Sequence, residues 1–211
     1  MNQREFRTFA EQSRSSLTRK GSRFIGVGAC CETKEELDNR RGELADEFPK
    51  ASHVASASVI AESGRPVERY DNDGEPSGTA GEPMLEVLKG EGLMNTAVFA
   101  VRYFGGTELG TGGLVRAYSD TARAVISSGK VIKRQKREKY LASFPYSFTG
   151  KVAEALAEFD RVKVLERNYG EEPELTISVP VNDKDSLLGR LRELTSGSVE
   201  FARKSLTNEE E

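Results

Sequence analysis

The sequence predicts an α+β protein of two domains, and three observations lead there. A glycine-rich first half alternates strand-like and helix-like stretches, and a regular strand–helix–strand–strand–helix–strand order follows residue 140. Between them lies the basic run KVIKRQKREK, residues 130–139. A chain of 211 residues, 36% hydrophobic and 31% charged, has room for one large domain or two small ones. The expected division is 1–139, an α/β domain with its basic connector, and 140–211, a ferredoxin-like domain with an acidic tail.

In the first half, SRFIGVGACCE (22–32) sets Phe24, Ile25 and Val27 among small residues and reads as a strand. Thr33 then opens TKEELDNRRGELADEF as a helix with a Thr-x-x-Glu start, in which Thr33 and Glu36 satisfy each other's free N–H groups. Leu37, Leu44 and Phe48 trace its apolar face. HVASASVIAE (53–62) resumes as a strand, and a helix runs from Thr79 and Ala80 through Met84, Leu85 and Leu88. TAVFAVRYF (96–104) is nearly all apolar, as a strand covered on both faces would be. GGLVRAYSDTARAVISSG (112–129) follows as a helix with Leu114, Tyr118, Thr121, Ala122 and Val125 inward and Gly129 at its end.

The second half is more regular. KYLASFPYS, VKVLERNYG, ELTISVPV and SVEFARKS read as strands. TGKVAEALAEFD and DKDSLLGRLRELTSG read as helices, with Val152, Leu156 and Phe159 aligned on the first and Leu187, Leu188, Leu191 and Leu194 on the second.

Several functions are excluded or disfavoured by composition. No apolar run approaches the roughly 20 residues of a membrane-spanning helix, and the basic start lacks the apolar core of a signal peptide. A cytoplasmic location and no membrane partner are therefore expected. Cys30 and Cys31 are adjacent, which suits reduced strand residues better than a disulfide. Two cysteines and one histidine do not make a zinc site. Net charge is −3 overall, split as +2 over residues 1–139 (22 basic, 20 acidic) and −5 over 140–211 (9 basic, 14 acidic).

Eight of the 20 glycines fall in two windows, DNDGEPSGTAGEPML (71–85) and RYFGGTELGTGGLVRAY (102–118). In the second, a strand ends, glycines follow and a helix begins, a geometry that can hold an anion on backbone N–H groups. Gly105, Gly106, Gly110, Gly112 and Gly113 let a ligand approach, with Arg102, Tyr103 and Arg116 beside them. The window is neither a Walker A loop nor a dinucleotide fingerprint, because Val115 stands where the latter needs glycine. Lys133, Arg134, Lys136 and Arg137 extend the positive charge.

The first window contributes Asp73, Gly74, Glu75, Pro76, Gly78, Thr79 and Gly81 as a second face. Its acids do not match a calcium loop, and Asp-Gly and Glu-Pro are turn chemistry in their own right. No catalytic residue, metal or cofactor is assigned: His53 is the only histidine, and Ser77 and Thr79 have no evident base.

The two windows, with KGSRFIG near the start, resemble the signature blocks of the bacterial YigZ-like branch of the IMPACT family. The order of the three blocks is kept, and the resemblance covers nearly the whole chain. One departure is HVASASVIA, where small residues replace the aromatic or cysteine neighbours that often follow the histidine. The resemblance implies a first domain similar to the second domain of a small-subunit ribosomal protein, a fold shared with GHMP kinases. It implies a second domain similar to the last domain of elongation factor G. The eukaryotic relative restrains a starvation-activated kinase of translation initiation by competing for that kinase's activator, a partner system that does not carry over to a bacterial-type chain.

Three readings stay open at this point. One is a non-enzymatic regulator associated with translation, binding RNA or the ribosome weakly. The second is a protein-interaction adaptor without nucleic-acid binding, and the third an enzyme using the GHMP-like fold on a phosphorylated small molecule. A sequence pI near 5.5 weighs against a dedicated nucleic-acid binder.

Overall fold

The computed structural model describes residues 5–62 and 65–204, so the acidic end of the chain lies outside the described residues. It divides into two compact units, an N-terminal one spanning Phe6–Arg134 and a C-terminal one made of the chain from Gln135 onward together with Glu5, the first residue of the first strand. The division falls before the expected 139/140 because Arg137 to Lys139 already pair with the next domain's central strand.

In the N-terminal unit, β1 (Glu5–Phe9), β2 (Ser13–Arg19) and β3 (Ser22–Cys30) come first, followed by α1 (Lys34–Glu47), β4 (His53–Glu62) and β5 (Arg65–Asp71). Then come α2 (Gly81–Gly90), β6 (Thr96–Tyr103), α3 (Thr111–Ser128) and β7 (Val131–Gln135). Five strands make one antiparallel sheet in the order β2-β3-β6-β4-β5, and β1 pairs with β7 apart from it.

Alternation along the inner strands divides two cores. Phe24, Ala55, Ala57, Val98 and Ala100 pack with Met84, Leu88, Tyr118 and Val125 of α2 and α3. Ile25, Val27, Val54, Phe99 and Val101 pack instead with Leu37 and Leu44 of α1. The near-continuous apolar run of β6 is explained by this burial on both faces.

The structure adds four strands that the sequence reading leaves out: β1, β2, β5 and β7. SRSSLTR and RPVERYD form the sheet's two edges, where a strand has one neighbour and needs few apolar side chains. Pro66 sits in such an edge strand, where its missing N–H costs nothing to the ladder. The basic run is not a solvated connector either. Its first half is β7, paired to β1, and its second half opens β8 (Arg137–Ser143).

The C-terminal unit continues with a short 3-10 turn (Tyr146–Phe148), α4 (Thr149–Ala157), β9 (Lys163–Tyr169), β10 (Pro173–Pro180), α5 (Lys184–Leu194) and β11 (Glu200–Lys204). The sheet order is β11-β8-β10-β9, all antiparallel, which is the ferredoxin-like arrangement. Tyr140, Ala142, Ile177 and Val179 form its core with Val152, Leu187 and Leu191 from the two helices.

Candidate functional site

Strand register lays down the first row of the site. Phe24 of β3 and His53 of β4 both lie opposite Arg102 of β6, so the three share the face covered by α2 and α3. The 72–80 loop and α3 bring Glu75 and Tyr118 onto this row. Arg102 Nη1 donates to Glu75 Oε1 at 2.5 Å, and the Tyr118 hydroxyl donates to the same oxygen at 2.7 Å. His53 Nε2 is 3.8 Å from that oxygen. The Phe24 ring meets Tyr118 edge to face at 5.2 Å, and the Arg102 guanidinium carbon is 5.6 Å from the Phe24 ring centre.

Arg102 is 6% exposed and Glu75 7%. Two charges withdrawn this far from water are tolerable only because each neutralises the other at contact distance. Burial pushes the Tyr118 hydroxyl up from the ordinary phenol range, and its bond to the Glu75 carboxylate pushes the same way. Tyr118 therefore stays a donor. The Arg102 Nε atom is buried with no hydrogen-bond partner among the described residues.

The first glycine window is a loop folded on its own polar groups. Asn72 Oδ1 accepts from the backbone N–H groups of Ala80 and Gly81 at 3.3 and 2.9 Å, which caps the start of α2. Asp73 accepts from the Val54 N–H at 2.6 Å and from Arg41 at 2.8 Å, while Arg41 also holds Asp71 at 2.5 Å. Asp71 and Asp73 are thus both held by one arginine. Among the described residues no three His, Cys, Asp or Glu side chains gather as a metal ion would need. His53 Nδ1 donates to the Asp73 carbonyl at 2.6 Å, which turns Nε2 towards Glu75. Gly74 and Gly78 take positive φ, and Gly81 is buried against the Asp71 backbone. Pro76 is exposed, and Thr79 donates to its carbonyl at 2.6 Å.

The second window leaves the sheet at Phe104, which is 53% exposed, beside a half-buried Tyr103. Gly105 then passes directly over the Gly21–Ser22 backbone: a Cβ there would fall 1.9 Å from the Gly21 carbonyl carbon. The Gly105 N–H donates to Ser22 Oγ at 3.1 Å. KGSRF is therefore the seat of the second window as well as the source of Phe24. Gly106, Gly110 and Gly112 face open space, and Gly113 rests against Leu109. Gly110 is the N-cap of α3 with φ 69° and no side-chain cap, and Arg116 is exposed one turn further on.

Three arginines expected to meet an anion are occupied inside the protein. Arg102 is paired with Glu75 rather than flanking an open loop. Arg134 lies 3.5 Å from Glu32. Arg137 donates to Ser178 Oγ at 2.9 Å and to the carbonyls of Arg161 and Ser178 at 2.6 and 2.8 Å, and burial pushes its pKa down. Lys133 is exposed on β7, and Lys136 is half-buried.

The structure thus joins the two windows through Glu75, while Arg134 and Arg137 take partners outside both windows. It adds Phe24, Arg41, His53 and Tyr118, which the sequence reading leaves out of its site. All but Arg41 lie in or beside the three signature blocks or belong to the lone histidine, so the signal was present but unassigned.

Comparison with known proteins covers both units. The Impact N-terminal domain model matches residues 20–126, and a second model, a domain of unknown function termed DUF1949, matches residues 143–198. The IMPACT family member YvyE of Bacillus subtilis is 32% identical over 200 residues, covering 95% of this chain and 91% of that protein. YigZ of Escherichia coli is 29% identical over 186 residues, covering 86% and 89%. A crystal structure described as that of a hypothetical protein superposes with a TM-score of 0.72 at 28% identity, covering 99% of each chain. With the family model spanning just over half its length and its signature blocks meeting around one buried ion pair, the chain belongs to the IMPACT family.

Proposed function

We propose that the protein is a non-enzymatic regulator associated with translation, which makes weak contact with RNA or the ribosome through residues 104–116 of the N-terminal unit. The translation context comes from the family resemblance. The carrying observation is local: Phe104 stands 53% exposed at the foot of a loop whose backbone is open at Gly106, Gly110 and Gly112. Exposed Arg116 follows on α3, and exposed Lys20 and Arg23 flank the Gly21–Ser22 seat of the loop. An aromatic platform beside an open glycine backbone and exposed cations suits an unpaired base and its phosphate. The non-enzymatic reading is supported by Glu75, the acid nearest His53, whose Oε1 is already held by two donors.

The test is binding of single-stranded RNA and co-sedimentation with ribosomes at about 50 mM salt, where counterion release favours phosphate contact. Phe104→Ala is expected to weaken binding by roughly tenfold or more. Arg116→Ala is expected to flatten the salt slope by about one. Failure of wild type to bind either partner would overturn this reading. The adaptor reading then leads, favoured by an open groove between α2 and α3 that Glu82, Glu86, Val87, Val115 and Arg123 line. A pull-down with the Val115→Arg variant as control addresses it.

A further inference from the structure

We propose that the C-terminal unit carries a binding site for a small apolar carboxylate, in a cavity between α4 and β9. The cavity holds about 300 Å³, at the lower end of the range for ligand pockets. Its walls are Phe144, Val152, Leu156, Val164 and Leu175, and Arg167 is its one charged lining residue. The space exists because α4 turns alanines, Ala153 and Ala157, towards β9, so the helix face falls short of the strand.

A β-bulge decides the chemistry of the cavity. The β9–β10 register shifts between Thr176 and Ile177, so that Val164 lies opposite Ile177 and Arg167 opposite Leu175. Residues three apart on β9 therefore share the helix-side face, where an unbroken strand would place residues two apart. Without the bulge Glu166 would stand with Val164 in the cavity. With it, Glu166 sits opposite Thr176 and accepts that hydroxyl's bond at 3.1 Å on the other face. The strand irregularity thus exchanges an acid for an arginine.

Arg167 is exposed and has no ion-pair partner among the described residues. A guanidinium at the edge of an apolar cavity complements a carboxylate on an apolar body. No Asp or Glu lines the cavity, so a free amino acid would leave its ammonium without a partner. The volume limits the ligand to a medium-length chain or a single ring. Tyr169, 58% exposed, also borders the cavity. This site lies within one unit and stands independently of the RNA reading.

The experiment titrates the full-length, 15N-labelled protein with octanoate and with 3-phenylpropionate, following backbone amide shifts. The expected result is saturable shifts for at least one acid, confined to α4, β9 and β10. Arg167→Gln is expected to weaken the affinity about tenfold, the usual worth of a charge-assisted hydrogen bond. Ala153→Phe, at an exposed helix position, is expected to fill the cavity and abolish the shifts while the remaining spectrum stays folded. 1-Octanol, apolar but uncharged, is expected to bind more weakly than octanoate. Shifts that stay linear for both acids, or saturable binding that neither variant alters, would overturn the proposal.

Discussion

Glu75 is the residue on which most of the site's polar contacts converge, and its replacement is the sharpest test of the buried network. Glu75→Gln leaves the Arg102 charge uncompensated at 6% exposure, a change that costs about 3–5 kcal/mol. Replacing both partners, Glu75→Gln with Arg102→Met, removes the stranded charge and should recover part of that loss, as urea unfolding of the three variants will show. A Glu75→Gln cost under about 1 kcal/mol would mean that the pair is not buried as described. Cys31 offers a second measurement at this scale. Its thiol is fully buried, and burial pushes its pKa up to about 12 from an ordinary 9.0. Since the folded value is the higher one, its contribution is complete below pH 9 and is lost as pH rises from 9 towards 12. Cys31→Ala should therefore show a shallower alkaline loss of stability, by up to about 1.4 kcal/mol per pH unit. Identical slopes in the two proteins would show that Cys31 ionises freely in the fold. At this scale the sequence was only partly legible. Arginine beside a glycine loop looks like an anion contact, and only the pairing of Arg102 with Phe24 and His53 across three strands turns it inward. Cross-strand partners so far apart in sequence leave no trace in local periodicity.

Elements show a sharper divide between what patterning reveals and what it hides. Helices and interior strands were readable because their apolar residues recur at fixed spacing, as Leu114, Tyr118 and Val125 do along α3. The edge strands β2 and β5 were not, since SRSSLTR and RPVERYD carry too few apolar residues to show a period. The start of α1 was legible in kind: Thr33 accepts from the Glu36 N–H at 3.1 Å, and the Glu36 carboxylate reaches back to accept from the Glu32 N–H at 2.8 Å. Charge had hidden β7 and the first two residues of β8, Arg137 and Glu138. Because the Arg137 guanidinium holds two carbonyls and a hydroxyl of the C-terminal unit, Arg137→Ala should lower that unit's stability by roughly 2–3 kcal/mol. Lys133→Ala, exposed on β7, should stay within about 0.5 kcal/mol. Thermal unfolding followed by circular dichroism separates them, and equal effects would show that Arg137 is a surface charge after all.

For the whole molecule, the separate hydrophobic clusters predict independent folding. The C-terminal core, from Tyr140 to Val199, is built entirely from residues of its own unit. A fragment of residues 135–211 should therefore unfold in a single cooperative transition, read by chemical denaturation. A fragment without a transition would show that this core depends on the rest of the chain. This part of the architecture was the most legible, because a ferredoxin-like order follows from six consecutive patterned segments. The N-terminal unit's closure was not legible, since β1 and β7 bracket all its other elements and pair with each other. Phe9 of β1, fully buried in the finished unit, packs where Gly28 and Gly129 leave room for its ring. During synthesis, at about 5–20 residues per second, β1 would wait roughly 6–25 s for β7 to be made. Until then the ring of Phe9 lacks part of its cover, and the earliest strand is held only by its bridge from Arg7 to Leu93. A chain stalled before Val131 would thus present an unfinished N-terminal unit to the cell's proteases, which makes the last strand of the unit a checkpoint on translated length.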